Sequence, residues 1–406
     1  MIPQAGHLRR GHALLAISLT FIVSLVAVEI TITLPAPGPA AAELGYSFVT
    51  FGSWNDISPA WSPDGKTIAY LSDRNGGWQV FTMEPDGSFV KAVTSTSYVA
   101  GYPSWSPDSS SIAFWSKGKS GTDVRIAFVV NSTIKTVTDG VTPVVKARPE
   151  WSPDGTRLLF FVGSSATSLV SYDFKTGATL TVATINGSEF SASWASRTEV
   201  AFSSLVRGSY SLLWADVVNG THGVLMDGNA SFSSPAFSTA SSKLAYISNL
   251  VPPNPYGREY LGAYSPGDYD VWVMGLDGSN VSFQYGLVPI AGEAVPGIQL
   301  WQLYACPFTP TTISPSQDLA WSSNGQVVAY VAHGGNLVPQ VYLWDVFRMA
   351  STTGPMVLSM TNSTDPTWGP DGVTLAFASA TGGFYHIFII DTTGVIAPLP
   401  YGSRDG

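Results

Sequence analysis

The sequence predicts an all-β chain, a single ring of seven four-stranded sheets (a β-propeller), preceded by an N-terminal hydrophobic helix. Three observations carry this: an aromatic residue returns at a near-constant interval, the same tight turn follows it, and short apolar strands fill each unit. The aromatics are Trp61, Trp105, Trp151, Trp194, Phe237, Trp321 and Trp368, at steps of 44, 46, 43, 43, 84 and 47. A period of this size is the sequence form of a propeller blade, because one small sheet cannot bury both its faces and must stack on copies of itself.

The first element precedes the repeats. HLRRGH at residues 7–12 is a basic flank, and ALLAISLTFIVSLVAV at Ala13–Val28 is an unbroken apolar run. Continued to Leu34, it has the length that spans a bilayer, and Arg9 and Arg10 keep its start in the cytoplasm, so the body is exported. Residues 1–34 read as a signal-anchor or signal peptide, and 35–45 as a stiff Pro/Ala linker. The expectation is an extracytoplasmic chain anchored by this one helix; the alternative is a secreted or periplasmic chain cleaved near Ala42.

The blades occupy residues 46–406. After six of the seven aromatics comes a turn and then a strand: KTIAYLS, SSIAFWS, TRLLFFV, SKLAYIS, QVVAYVA and VTLAFAS. Trp194 has a degenerate turn but keeps TEVAFSS. A third strand follows in each unit, as in WQVFTME, VRIAFVV and YHIFIID, and a weaker fourth closes it, as in KAVTS; after Asp391 a final strand is expected. In the turn SPDG, proline pre-sets φ, aspartate bonds back to the chain and glycine accepts positive φ. Asp64, Asp108, Asp154 and Asp371 are thus turn residues, and Asn324 in SSNG keeps the geometry without the charge. The tryptophan is expected between neighbouring sheets.

PAWSPDGKTIAYLS, PSWSPDSSSIAFWS, PEWSPDGTRLLFFV and PTWGPDGVTLAFAS resemble the TolB-like propeller family, with its Pro-x-Trp-Ser-Pro-Asp-Gly signature, over roughly Pro59–Asp391. The resemblance implies the fold. It leaves function open, since such blades occur in periplasmic scaffolding proteins and in the propeller domains of prolyl-oligopeptidase-like peptidases.

The long step from Phe237 to Trp321 shows one set of blade strands, SKLAYIS and YDVWVMGLDG, so it reads as one blade with insertions at 249–268 and 287–318. Strand alternation puts both on one face of the ring. They carry Tyr256, Arg258, Tyr260, Tyr264, Trp301 and Tyr304, and aromatics with an arginine are the usual anchors of a binding surface. The plainer reading packs these aromatics onto the ring.

Hydrophobic residues make up 45% and charged residues 12%, about half the usual charged share, so a large packed core is expected. A formal charge of −9 excludes nucleic acid, which needs a basic face. The one cysteine, Cys306, forms no internal disulfide and reads as a packing thiol.

Chemistry-bearing motifs are few. His222, His333 and His386 are scattered, HExxH and G-x-S-x-G are lacking, and GKSGT at Gly118–Thr122 reads as a surface loop. No catalytic residue, metal ligand or cofactor is assigned. Sequons occur at Asn131, Asn186, Asn219, Asn229, Asn280 and Asn362, acceptors where the host glycosylates exported chains.

The function expected is a protein- or ligand-binding scaffold without catalysis, whose partner is an envelope or cell-surface protein or a glycan, with the membrane contacted through the N-terminal helix. The alternative is a lyase or glycan hydrolase at the channel mouth, using Arg74, Arg148, Arg207, Arg258 or His333; their convergence with buried carboxylates would favour it. A purely structural envelope component is the third reading.

Overall fold

The computed structural model describes residues 46–95, 99–117, 121–138, 143–163, 166–188, 190–228, 230–249, 270–275, 319–333, 339–346, 356–357 and 362–393. The expected N-terminal helix and linker lie outside them, and among the described residues no helix is long and apolar enough to cross a membrane.

Sheets sandwiched between sheets need apolar side chains on both faces, and the second and third strands of the repeat supply them. Ile68–Ser72 and Gln79–Met83 are buried along their whole length, whereas the outer strand Lys91–Ala92 is exposed. Seven antiparallel sheets result, one per aromatic marker. The first strand of each is innermost: Asp56–Trp61, Val99–Trp105, Glu150–Trp151, Ala192–Trp194, Phe232–Ser238, Leu319–Trp321 and Ser363–Trp368. Numbering blades from Asp56, each innermost strand touches the next around the ring, and that of blade 7 touches that of blade 1. Seven apolar cores match the seven interfaces between adjacent blades. The step of 84 therefore holds one blade, with Lys243–Ser248 and Asp270–Gly275 as its second and third strands.

The ring is closed by the other end of the chain. Tyr46–Phe48 is the outer strand of blade 7, pairing with Phe384–Asp391 in the register Tyr46↔Ile390 to Phe48↔Phe388. The chain continues along the seam: Val49 donates its N–H to Ile387 O (3.1 Å), Ile387 N–H bonds Thr50 Oγ1 (2.9 Å) and Tyr385 N–H bonds Asn55 Oδ1 (3.1 Å). The outer edge of blade 7 is thus occupied by an N-terminal strand, and the final strand expected after Asp391 falls on residues 394–406. Residues 394–406 lie outside the described residues.

The signature tryptophans do more than fill space. Trp105 Nε1 donates to Ala60 O of blade 1 (3.0 Å), Trp151 to Ser104 O of blade 2 (3.2 Å), and Trp194 to Glu150 O of blade 3 (3.1 Å). Trp321 donates to Ala236 O (2.8 Å) and Trp368 to Ala320 O (3.0 Å). The acceptor is always the carbonyl just before the preceding blade's own marker. Phe237 has no indole N–H, and its backbone N–H instead bonds Ser193 Oγ of blade 4 (2.9 Å). Trp61, at the seam, has a buried Nε1 with no hydrogen-bond partner.

The turn after the marker is built as its letters suggest. Ser152 Oγ donates to Asp154 Oδ1 (2.7 Å), which also accepts from Thr156 N–H (3.1 Å) and Thr156 Oγ1 (2.8 Å). Gly155 has φ 69°. The same aspartate bonds recur at Ser62–Asp64 and Ser106–Asp108, and at Ser322–Asn324 with the amide. At Asp154 burial pushes the carboxyl up, but these donors outweigh it and hold it below the usual range; at Asp64 and Asp108 the serine hydroxyl is the leading cause.

Two outcomes follow for denaturant unfolding. Trp105→Phe keeps an aromatic ring in the interface but removes the inter-blade bond to Ala60 O, which keeps its ladder partner Ala69, and should cost about 0.5–1.5 kcal/mol, whereas Trp61→Phe removes an unpaired donor and should be near neutral; equal losses would refute the inter-blade bond. Asp154→Ala should cost about 1 kcal/mol and Asp154→Asn less. Because the folded carboxylate titrates low, its contribution is complete above the ordinary carboxylate range and fades as pH falls through the lowered value; a stability-against-pH curve of the asparagine variant should lack that part of the acid loss.

Candidate functional site in the central channel

The innermost strands line the channel, and five of them carry a proline two residues before the marker: Pro59, Pro103, Pro149, Pro235 and Pro366. Proline has no N–H for a ladder, so it sits on a sheet edge or at a bulge. In blades 1, 2, 5 and 7 the register slips there, and the preceding residue takes positive φ: Ser58 52°, Tyr102 49°, Ser234 51° and Asp365 54°. Arg148 and Ser191 hold the equivalent position in blades 3 and 4.

This ring of equivalent positions brings distant charges together. Asp365 is 8% exposed, and its Oδ2 accepts from Ser58 N–H and Ser58 Oγ of the next blade, both at 3.3 Å, and from Thr364 Oγ1 at 3.2 Å. Burial pushes its carboxyl up, and the attraction of Arg148 opposes that. Blades 7 and 3 are separated by two blades in one direction and three in the other, so this attraction acts across the channel. Glu150, half-buried in blade 3, is pushed up to about 7 by burial, again against the pull of Arg148. Arg148 Nε is buried and has no hydrogen-bond partner. Among the described residues the channel thus holds a guanidinium with an unpaired Nε–H whose charge acts on two carboxyl groups that resist ionisation.

The other residues named from sequence fall elsewhere. Arg74 is tied into blade 1: it bonds Asp56 Oδ1 (3.0 Å), Tyr70 Oη (3.0 Å) and Ser72 Oγ (2.9 Å) and packs over Trp54, Tyr70 and Phe81. Arg207 is exposed, with φ 53°, in the hairpin turn between Glu199–Val206 and Ser209–Asp216. His333 ends the second strand of blade 6, and its side chain lies outside the described residues. So do Tyr256, Arg258, Tyr260, Tyr264, Trp301, Tyr304 and Cys306. The chain leaves blade 5 toward the first of these segments at Ser248 and returns at Asp270, its partner across the ladder. Of the proposed enzyme set, the described side chains bring two to buried carboxyls: Arg74 is spent in an ion pair with Asp56, 0% exposed, and Arg148 acts on Asp365 and Glu150.

Three features went unread in the sequence. Glu150 and Asp365 are ordinary carboxylates until the ring closes. His386, 4% exposed in blade 7, has its pKa lowered by burial while nearby Asp56 pulls the other way. On the face of the SPDG turns, a groove of about 420 Å³ opens between blades 2 and 3; Trp151 stacks on Phe174 there at 5.1 Å and 13°, with Phe128 and Lys135 beside them. Among the described residues no group of three or more His, Cys, Asp or Glu is placed to hold a metal ion.

The ring, its channel and its inter-blade tryptophans define the class: a seven-bladed propeller. Within it, residues 46–198 match the family model of the TolB β-propeller domain, which bears out the resemblance read from the Pro-Asp-Gly repeats. No curated protein matches the chain. Among solved structures, oligogalacturonate lyase from Vibrio parahaemolyticus is similar with a TM-score of 0.63 at 11% identity, over 93% of this chain and 97% of that one. An oligogalacturonate lyase in complex with manganese gives 0.62 at 12%, over 86% and 94%. The β-propeller domain of the Trilobed protease from Pyrococcus furiosus gives 0.54 at 13%, over 84% and 95%. At these identities the likeness is one of fold.

The channel acid has a measurable signature. A carboxyl whose folded pKa lies above its unfolded value favours folding most when protonated, so its contribution is complete below the ordinary carboxylate range and is lost as pH rises toward 7. Asp365 adds with the same sign, and His386, lowered on folding, with the opposite one. Glu150→Gln, which mimics the protonated acid, should therefore flatten the decline between about pH 4.5 and 7 in urea unfolding compared with the parent; an unchanged difference curve would place Glu150 in contact with water.

Proposed function

We propose that this chain is an exported, membrane-tethered propeller that binds an envelope or cell-surface protein, or a glycan, through the rim where the channel opens, without catalysis. The observation that carries this reading is Arg148: a guanidinium in the channel with a buried, unpaired Nε–H, on a frame that uses its other described rim arginines for packing or leaves them in solvent. A buried donor without a partner is costly, and an acceptor group on a partner would satisfy it. The apolar run after Arg9 and Arg10 supports export and tethering. The two long segments carrying Tyr256, Arg258, Tyr260, Tyr264, Trp301 and Tyr304 follow the second and third strands of blade 5 in the sequence, and long loops on a rigid scaffold are where recognition residues concentrate.

One observation favours a second reading, a lyase or glycan hydrolase. Glu150, held at about 7, can exchange a proton at neutral pH, which suits a general acid or base, and Arg148 beside it can hold an acidic sugar.

The test is capture from native membranes by the tagged full-length chain, beside Arg148→Met and a chain with 249–268 and 287–318 shortened. The binding reading expects a partner with the parent and its loss with either variant; equal capture by all three overturns the site. Incubation with acidic oligosaccharides addresses the second reading, which requires turnover by the parent and none by Glu150→Gln.

A further inference from the structure

The turns joining the third and outer strands of blades 2 and 4 have the same build. Both read Val-Asn-x-Thr: Val130-Asn131-Ser132-Thr133 and Val218-Asn219-Gly220-Thr221. In each the residue after asparagine takes positive φ, 55° at Ser132 and 74° at Gly220, which folds the threonine back under the asparagine. Thr133 N–H (3.1 Å) and Thr133 Oγ1 (2.7 Å) both donate to Asn131 Oδ1. Thr221 N–H (2.9 Å) and Thr221 Oγ1 (2.7 Å) donate to Asn219 Oδ1 in the same way. Both asparagines are exposed, and the Nδ2 of neither makes a hydrogen bond among the described residues.

We propose that Asn131 and Asn219 are N-glycan acceptors, modified on a surface that the reading of this chain as exported places outside the membrane. The chemistry fits the geometry. A hydroxyl proton on the amide oxygen draws electron density from Nδ2 and eases loss of its proton. The Nδ2–C1 bond to the sugar then forms as the C1–O bond to a lipid-linked phosphate breaks; the Nδ2 proton passes to a base of the transferase, and the lipid phosphate leaves. The donor is thus a lipid-phosphate-linked oligosaccharide.

A second observation points to something seated here. Val130 is 92% exposed and Val218 57%, each directly before its asparagine, and a bulky solubilising group on that asparagine would cover them. The other described sequons differ. At Asn186 the hydroxyl of Ser188 lies 3.3 Å from Tyr210 Oη, and that residue's N–H also bonds the tyrosine (2.9 Å), so the residue two after the asparagine is held by blade 4. Asn362 is half-buried just before the innermost strand of blade 7. Strand alternation places both acceptor turns on the SPDG face, away from the rim assigned to binding, so glycans there leave the channel open.

The test uses the full chain purified from its own cells, with peptide mass spectrometry on the parent, Thr133→Ala, Thr133→Ser and Asn219→Gln, and protease shaving of intact cells in parallel. The proposal expects oligosaccharide mass on the Asn131 and Asn219 peptides, with the Asn362 peptide unmodified. Thr133→Ala should lose the Asn131 mass, Thr133→Ser keep it, and Asn219→Gln lose only its own. A shaved chain whose two peptides are bare overturns the acceptor assignment alone; a chain protected from shaving and bare overturns the export reading with it.

Discussion

The structure depends on a hydrogen bond between blades, from an indole N–H to the carbonyl that precedes the neighbour's own marker. Apolar burial holds the sheets together but is non-directional, and two flat apolar faces can slide. A single donor and acceptor at the inner end of each interface fixes the offset between sheets, and the same offset repeated closes a ring. Five interfaces use the bond directly. At Phe237 a backbone N–H and Ser193 Oγ take over. At the seam between blades 7 and 1 the indole is unpaired, and the work falls to Asp365 with Ser58 and to the segment from Tyr46 to Asn55. The ring thus has one interface of a different kind, where its two chain ends meet.

The turn beside the tryptophan couples local to long-range structure. Its last residue takes positive φ, at Gly65, at Gly155 and also at Ser109, and it lies close to the preceding hairpin: a Cβ on Gly65 would lie a tight 3.0 Å from Pro370 of blade 7, and one on Gly155 would make ordinary contact, 3.5 Å, with Pro107 of blade 2. The hairpins of blades 1 and 3 thus lie against the proline of the preceding hairpin, and those of blades 6 and 7 against Ser238 and Ser241 and against Ser323 and Asn324. This explains why the chain returns to the same five letters. Trp-Ser-Pro-Asp-Gly specifies a tight turn and, with the same side chains, the spacing to the next copy.

The fold was readable because its period is long and each unit is punctuated by residues with a mechanism. What escaped was the closing strand: Tyr46–Phe48 is three residues long and lacks a marker, and its pairing depends on the other end of the chain. The candidate site was readable only in part. Arg148 stood out as a charge in a loop, but its carboxyl neighbours come from the geometry of the ring, which joins Asp365 to it across the channel. Arg74 stood out equally and is consumed by Asp56, Tyr70 and Ser72. Residue type marked both arginines, and position separates them.

The position itself follows a rule. The marker, the turn and the proline before the marker return from blade to blade because each has a fixed task in the frame. Three residues before the marker the described blades carry Ser58, Tyr102, Arg148, Ser191, Ser234 and Asp365. No single side chain is demanded there: in blades 1, 2, 5 and 7 the task of that position is a backbone bend, which serine, tyrosine and aspartate all adopt, and in blades 3 and 4 Arg148 and Ser191 stand there without it. A frame that repeats everything else and leaves this channel-lining position free can place a different side chain at each blade without cost to the ring. Arg148, Asp365 and Ser58 occupy that freedom, and this is why the channel chemistry gathers at them while the turn aspartates, though more numerous and more conspicuous, remain structural.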